Sequence, residues 1–298
     1  MYSHYGVSYF CRLFGKSRQA WYEQMHRGQE HQLSTTLVLK LVEEIRLELP
    51  RIGVIKLYPM LKPQFDQHGI KMGRDALYDL LSQHGYLLVY RRRKPYTTDS
   101  NHRYKKYPNL IREMLLSSAG QLWVSDITYL KLVKGFCYLS IITDAYSRKI
   151  VGYQLHRTLH SDGAIFALKM ALKDLKRSNA LIHHSDRGTQ YCCRDYVEKL
   201  ESCGIRISMT EKGDPYENAI AERVNGILKY EFNLQATFSS FEEALQQTHH
   251  AVKQYNTLRP HSSCDYLTPI EAHQQSGLLK RRWRSKVYQT VNADPSPG

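Results

Sequence analysis

Residues 181–193, LIHHSDRGTQYCC, constrain the fold more than any other stretch: the apolar start reads as a buried strand, and the run ends by delivering Asp186 into a turn. Two further acids stand at fixed distances. Asp126 lies in LWVSDITYL, with 59 residues between it and Asp186, and Glu222 lies in PYENAIAERVNGILKYEF, with 35 residues between Asp186 and it. Two strands and a helix can bring these carboxylates together only in a fold that closes on one point. Once together they repel unless cations sit among them. Hard oxygen ligands suit Mg2+ or Mn2+, and two such ions about 3.5 to 4 Å apart serve phosphoryl transfer by activating an attacking oxygen and stabilising a leaving one. With 28 acidic residues in the chain, spacing alone does not single out these three, so their surroundings carry the argument.

The acids are set in W-x-x-D-I-T-Y, H-S-D-R-G-x-Q-Y and N-A-x-x-E-R-x-N-G-x-L-K. In these motifs the chain resembles, over nearly its whole length, the transposases of the third insertion-sequence family, specifically their second-reading-frame product with its retroviral-integrase-like core. The resemblance implies an α/β, ribonuclease H-like catalytic core, a mixed five-stranded sheet flanked by helices, preceded by an all-α helix-turn-helix region. It implies a DDE-type enzyme in which Asp126, Asp186 and Glu222 are both the catalytic residues and the ligands of two Mg2+ ions, with Mn2+ as a substitute. The expected chemistry is phosphodiester hydrolysis and transesterification on double-stranded DNA, at terminal inverted repeats and in target DNA. A homo-multimer on DNA and a frameshift fusion to an upstream reading frame are further expectations. A DNA-binding repressor without chemistry and a stand-alone nuclease are the alternatives.

Charge distribution fits a polyanionic partner. Residues 1–115 hold 19 Lys and Arg against 10 Asp and Glu, residues 116–278 hold 18 against 17, and residues 279–298 hold 5 against 1, so the excess lies outside the expected core. The six cysteines include no C-x-x-C pair, which argues against a structural zinc site; His156 and His160 have helical spacing but no cysteine neighbours. No run of about 18 apolar residues and no secretory signal appear. The expectation is a cytoplasmic protein working at the nucleoid, with no membrane partner.

Four segments follow: a helical region over 1–90, a basic linker over 91–115, the core over 116–278 and a basic tail over 279–298. Residues 7–25 read as a short helix, a turn at Gly15-Lys16-Ser17 and a second helix capped by Ser17, with Phe10, Leu13 and Phe14 packing on Ala20 and Trp21 and Arg18 facing DNA. A generic helical hairpin fits equally. A helix over 35–49, a broken helical stretch over 51–69 and a helix over 73–85 come next, the last offering Arg74 to DNA. In 91–108 the basic residues Arg91, Arg92, Arg93 and Lys94 alternate with tyrosines and could meet phosphates, or form a solvated tether.

From residue 121 the period becomes that of strands: three in succession, a helix over 161–177, the strand before Asp186, a helix over 194–203, the strand RISM and the glutamate helix. On that last helix Ile220, Val224, Ile227 and Phe232 mark the buried stripe, whereas Glu222 shares the other side with Asn225, Gly226 and Lys229. Asn218 is the expected N-cap. Asp144 and Glu217 compete with the triad, Asp144 reading more readily as a turn cap. His184 is read as a carboxylate-orienting group or as packing. Arg187, with Gly188 and Gln190, forms a turn able to approach phosphate. Residues 255–273 match the family's C-terminal signature through Tyr255, Asn256, Arg259, Pro260, His261, Thr268 and Pro269, with Arg259 available to DNA or closing the core. The tail adds Arg282 beside Trp283. The expected DNA contacts are therefore Arg18, Arg74, Arg91, Arg92, Arg93, Lys94, Arg187, Lys229, Arg259 and Arg282.

Overall fold

The chain divides into two compact units, Met1–Arg92 and Arg93–Gly298. A computed structural model describes residues 6–88, 103–112, 114–175, 181–211 and 218–280, with backbone only at 28, 30 and 31. Arg91, Arg92, Arg93, Lys94, Glu217, Arg282 and Trp283 lie outside the described residues.

In the first unit, α1 (Val7–Leu13) turns at Gly15, whose φ is +62°, and Ser17 Oγ accepts from the Ala20 N–H at 3.0 Å to start α2 (Arg18–Glu48). Turn and cap fall where the sequence puts them. The second helix then runs unbroken for 31 residues and absorbs the separate helix expected over 35–49. Its only breaker is Gly28, which at about 1 kcal/mol is too weak to end a helix. Leu13, Phe14 and Trp21, expected to pack together, are all exposed, and the residue that α1 buries is Cys11.

The stretch expected to be broken is one helix, α3 (Val54–Gln67), despite Pro59 and Pro63 inside it. Leu57, Leu61 and Phe65 form a fully buried i, i+4, i+8 stripe, and the two prolines fall roughly opposite, so the carbonyls they leave unpaired face away from the core. Next comes α4 (Arg74–Gln83), which buries Leu77, Leu80 and Leu81 as the sequence indicates.

The second unit is built on β1 (Leu122–Leu132), β2 (Phe136–Asp144) and β3 (Ile150–His156), antiparallel in succession, with β4 (Ile182–Ser185) and β5 (Arg206–Met209) added parallel on the other side of β1. The order β3-β2-β1-β4-β5 is the ribonuclease H-like arrangement, with the long β1 at its centre. A short β6 (Thr237–Phe238), not foreseen, pairs with the far end of β1 and makes the sheet six-stranded.

Helices cover both faces. On one, α5 (Ser161–Lys173), α6 (Thr189–Cys192) and α7 (Arg194–Ser202) close over Trp123, Ile142, Leu168, Tyr196 and Ile207. Here α5 approaches β3 so closely that a Cβ at Gly152 would lie 2.2 Å from the Ala167 carbonyl oxygen. On the other face, α8 (Ala219–Glu231) packs Ala221 against Leu122, Val124 and Ile182. The chain continues through α9 (Phe241–Thr257) to α10 (Pro269–His273), whose Thr268 and Glu271 form a reciprocal capping box. Among the described residues, no helix is long and apolar enough to cross a membrane.

Candidate active site

Strand register brings the two aspartates together. Strands β1 and β4 run parallel and pair Val124 with His184 and Ser125 with Ser185, so Asp126 and Asp186 are the next residues on adjacent strands. Side chains alternate along a strand, so both aspartates point to the face that carries Leu122, Val124 and Ile182, the face covered by α8. The helix completes the arrangement. Asn225 Nδ2 donates to Asp126 Oδ2 at 2.8 Å, and the Ile127 N–H donates to Oδ1 at 2.9 Å. One turn earlier on α8 stands Glu222, exposed and in the first turn, where the helix dipole favours its charge.

Electrostatics report the same proximity. Burial, and then the charge of Asp186, push the Asp126 carboxyl up to about 7, with Glu222 adding to the rise and the two hydrogen bonds opposing it. Glu222 is raised by burial and by Asp186. Each acid therefore lies in another's field. Among the described residues, however, no group of three or more His, Cys, Asp or Glu side chains is drawn close enough to hold a metal ion. The donor set fits a hard divalent cation: carboxylate oxygens, one of them pushed up to about 7 by burial and by its acidic neighbours.

The turn after β4 is tied to this point. The Gly188 N–H donates to Asp186 Oδ1 at 3.0 Å, and a Cβ at Gly188 would meet that oxygen at 3.0 Å and Gln190 Oε1 at 3.1 Å, so the turn accepts only glycine without adjustment. Arg187 is half-buried in the same turn. Beyond Glu222 on α8, Lys229 sets its Nζ 4.4 Å from the centre of the Tyr129 ring; burial lowers its pKa and Asp126 partly restores it. Arg18 and Arg74 are exposed at the first turns of α2 and α4, Arg74 paired with Asp75 at 2.8 Å.

The expectations for Arg259 as a DNA contact and Asn218 as a side-chain cap are corrected, whereas His184 and Asp144 follow one of the readings given for them. Arg259 does not face DNA: it is 1% exposed, and its Nε and Nη2 grip the two oxygens of Glu231 at 2.7 and 2.8 Å. Asn218 precedes α8 but makes no side-chain cap; its Nδ2 donates to the Ser125 carbonyl at 3.0 Å instead, tying the helix to β1. His184, read as a carboxylate-orienting group or as packing, is buried and bonds Ser208 Oγ through Nδ1 at 2.8 Å. Asp144 is the turn cap it was read to be, accepting from Ser147 N–H at 2.9 Å, Ser147 Oγ at 2.8 Å and Gly120 N–H at 2.8 Å.

The sequence reading missed the layer beneath. His183 Nε2 meets Ser125 Oγ at 2.7 Å and Tyr196 OH at 2.9 Å, and burial drives its pKa down to about 3, so it is a neutral, buried brace for the strand ends. Asn225 was placed on the glutamate's side of the helix but given no partner. Its spacing, three residues after Glu222, was the available signal.

Residues 117–215 match the family described as Integrase core domain, and residues 203–269 match a second family of the same description. A 31 kDa protein of insertion element IS600 from Shigella sonnei is 33% identical over 87% of this chain and 95% of its own length. The transposase for insertion sequence element IS629, also from Shigella sonnei, is 30% identical over 70% of each chain, and transposase InsF for insertion sequence IS3A from Escherichia coli is 36% identical over 54% of this chain and 56% of its own. Among solved structures, the HTLV-2 integrase catalytic core domain in complex with magnesium is similar at 21% identity, covering 52% of this chain and 97% of that one with a TM-score of 0.41. The three acids sit inside the matched region, and on these relatives the chain belongs to the insertion-sequence transposases that carry an integrase core domain.

Proposed function

We propose that this transposase cuts DNA at the ends of its element and joins them to target DNA through a DDE-type centre made of Asp126, Asp186 and Glu222. The observation that carries the reading is the register that makes Asp126, within β1, and Asp186, just past the end of β4, the next residues along neighbouring parallel strands, with Asp126 pushed up to about 7 by burial and by its acidic neighbours. Those three carboxylates are the side chains that would hold divalent ions, two Mg2+ with Mn2+ as a substitute. When bound, such ions activate the attacking oxygen and stabilise the leaving one.

The chain's own groups do the positioning. Asn225 orients one oxygen of Asp126, and the Gly188 N–H orients Asp186. Lys229 offers a cation to a phosphate beside Asp126, while Arg187 borders the turn through which a strand approaches. In cleavage, water adds to phosphorus as the bond to the element's 3′-oxygen breaks, and the water's proton ends on that oxygen. In joining, the freed 3′-hydroxyl adds to a target phosphorus and displaces a target 3′-oxygen, which takes up the proton. No protein covalent intermediate is required. Arg18 and Arg74, with Arg91, Arg92, Arg93, Lys94 and Arg282, are proposed to grip DNA outside the core, and the working form is proposed to be a multimer joined to the upstream-frame product.

The test is one assay with labelled element ends, Mg2+ and target plasmid, run on wild type and on Asp126→Asn, Asp186→Asn and Glu222→Gln. Cleavage and joining by wild type, lost in all three variants with duplex binding retained, is the expected result. A wild-type rate in any variant removes that residue from the centre.

A further inference from the structure

We infer that Arg259 and Glu231 form a buried strut that sets the position of the glutamate helix, making Arg259 a positioning residue for Glu222. The inference rests on the reading of Glu222 as a metal ligand. It starts from an anomaly: Glu231 ends α8, where the helix dipole is negative and a carboxylate is disfavoured, and yet it is buried. Arg259 resolves it. Its two parallel bonds to Glu231 make a fork that fixes direction as well as distance, while Nη1 meets His261 Nε2 at 2.9 Å and the Pro260 carbonyl at 3.3 Å.

The segment that carries Arg259 is itself pinned to the sheet. Tyr255 OH donates to the Arg148 carbonyl at 2.9 Å, and the Asn256 amide bonds both the N–H and the carbonyl of Ile150, at 2.9 and 3.0 Å. Force on the end of α8 is thus carried to the turn between β2 and β3. At its other end α8 is held to β1 by Asn218, and by Asn225 on Asp126 itself. Glu222 stands about 13 Å of helix from Glu231, between Asn218 and Asn225. Both of those attachments lie on one side of α8, so they leave the helix free to roll about the line that joins them, and a roll moves the projecting Glu222 carboxylate relative to the aspartates; the strut at the far end removes that freedom.

The experiment compares full-length wild type with Arg259→Met, Arg259→Lys, the double variant Arg259→Met/Glu231→Leu, and Glu222→Gln. Melting temperature, affinity for an element-end duplex, Mn2+ binding by calorimetry and cleavage rate are read on each. The double variant fills the volume without leaving a lone buried charge, so it decides the matter even where Arg259→Met does not fold. Expected are a melting temperature within a few degrees of wild type, duplex affinity within about two-fold, Mn2+ binding weaker by about ten-fold or more with cleavage falling in step, and partial recovery in Arg259→Lys. Wild-type Mn2+ binding and cleavage in the double variant overturn the strut, as does a loss of duplex affinity with Mn2+ binding unchanged, which would make Arg259 a DNA contact. Mn2+ binding by Glu222→Gln equal to wild type sinks the parent reading instead, whatever Arg259 does.

Discussion

Replacing Asp126 by Asn should stabilise the metal-free protein while abolishing its chemistry. The magnitude follows from the carboxyl's displacement from 3.8 to about 7, caused first by burial and then by Asp186. Because the folded protein holds this proton more tightly than the unfolded chain, the carboxylate costs nothing below pH 4. The cost grows as pH rises and levels off above about 7. At about 1.4 kcal/mol per unit, the full penalty at pH 8 is about 4 kcal/mol, against about 1.5 kcal/mol at pH 5. Asp126 keeps some contact with water, so the gain in the variant between pH 5 and pH 8 is expected at about 2 to 3 kcal/mol. Asparagine keeps the shape and can still accept from Asn225, so little else changes. Calorimetry in chelator at both pH values gives the answer, the variant melting several degrees above wild type at pH 8 and by a smaller margin at pH 5. Mg2+ should raise the wild-type midpoint at pH 8 and leave the variant's where it is. A variant no more stable than wild type at pH 8, or equally favoured at both pH values, refutes the picture of crowded carboxylates.

Two further substitutions probe the groups around the acids. Asn225→Ala removes a donor to Asp126 that favours the ionised form, a charge-assisted bond of about 1.5 to 3 kcal/mol, and should move the pH of half-maximal Mn2+ binding up by about one unit. An unmoved profile would show that the contact is incidental. Gly188→Ala forces a methyl against Asp186 Oδ1 and Gln190 Oε1, so it should cost about 1 to 2 kcal/mol of stability and weaken Mn2+ binding more than it weakens duplex binding, both measured on the same preparation.

The candidate site was legible because its signals are local. A buried strand, a glycine turn and a helix with one apolar stripe each declare themselves within a dozen residues, and the spacing of Asp126, Asp186 and Glu222 survives whatever the loops do. Strand register could not be read from one sequence, yet it is what sets Ser125 opposite Ser185 and so makes the aspartates neighbours. Arg259, read as available to DNA or as closing the core, could not be decided for a related reason. An arginine in a loop beside proline and histidine has the composition of a phosphate contact, and only the fold reveals that Glu231, 28 residues earlier, waits for it. Helix lengths failed where the expected breaks were too weak: Gly28 does not stop α2, and the prolines of α3 lie opposite its buried stripe. The two-residue β6 carried no periodicity to detect.

Anomalous diffraction from crystals grown with Mn2+ tests the central claim most directly. The account predicts manganese peaks touching carboxylate oxygens of Asp126 and Asp186, with Glu222 drawn in to share them. Peaks confined to other side chains at saturating Mn2+, with the three acids left apart, would contradict it.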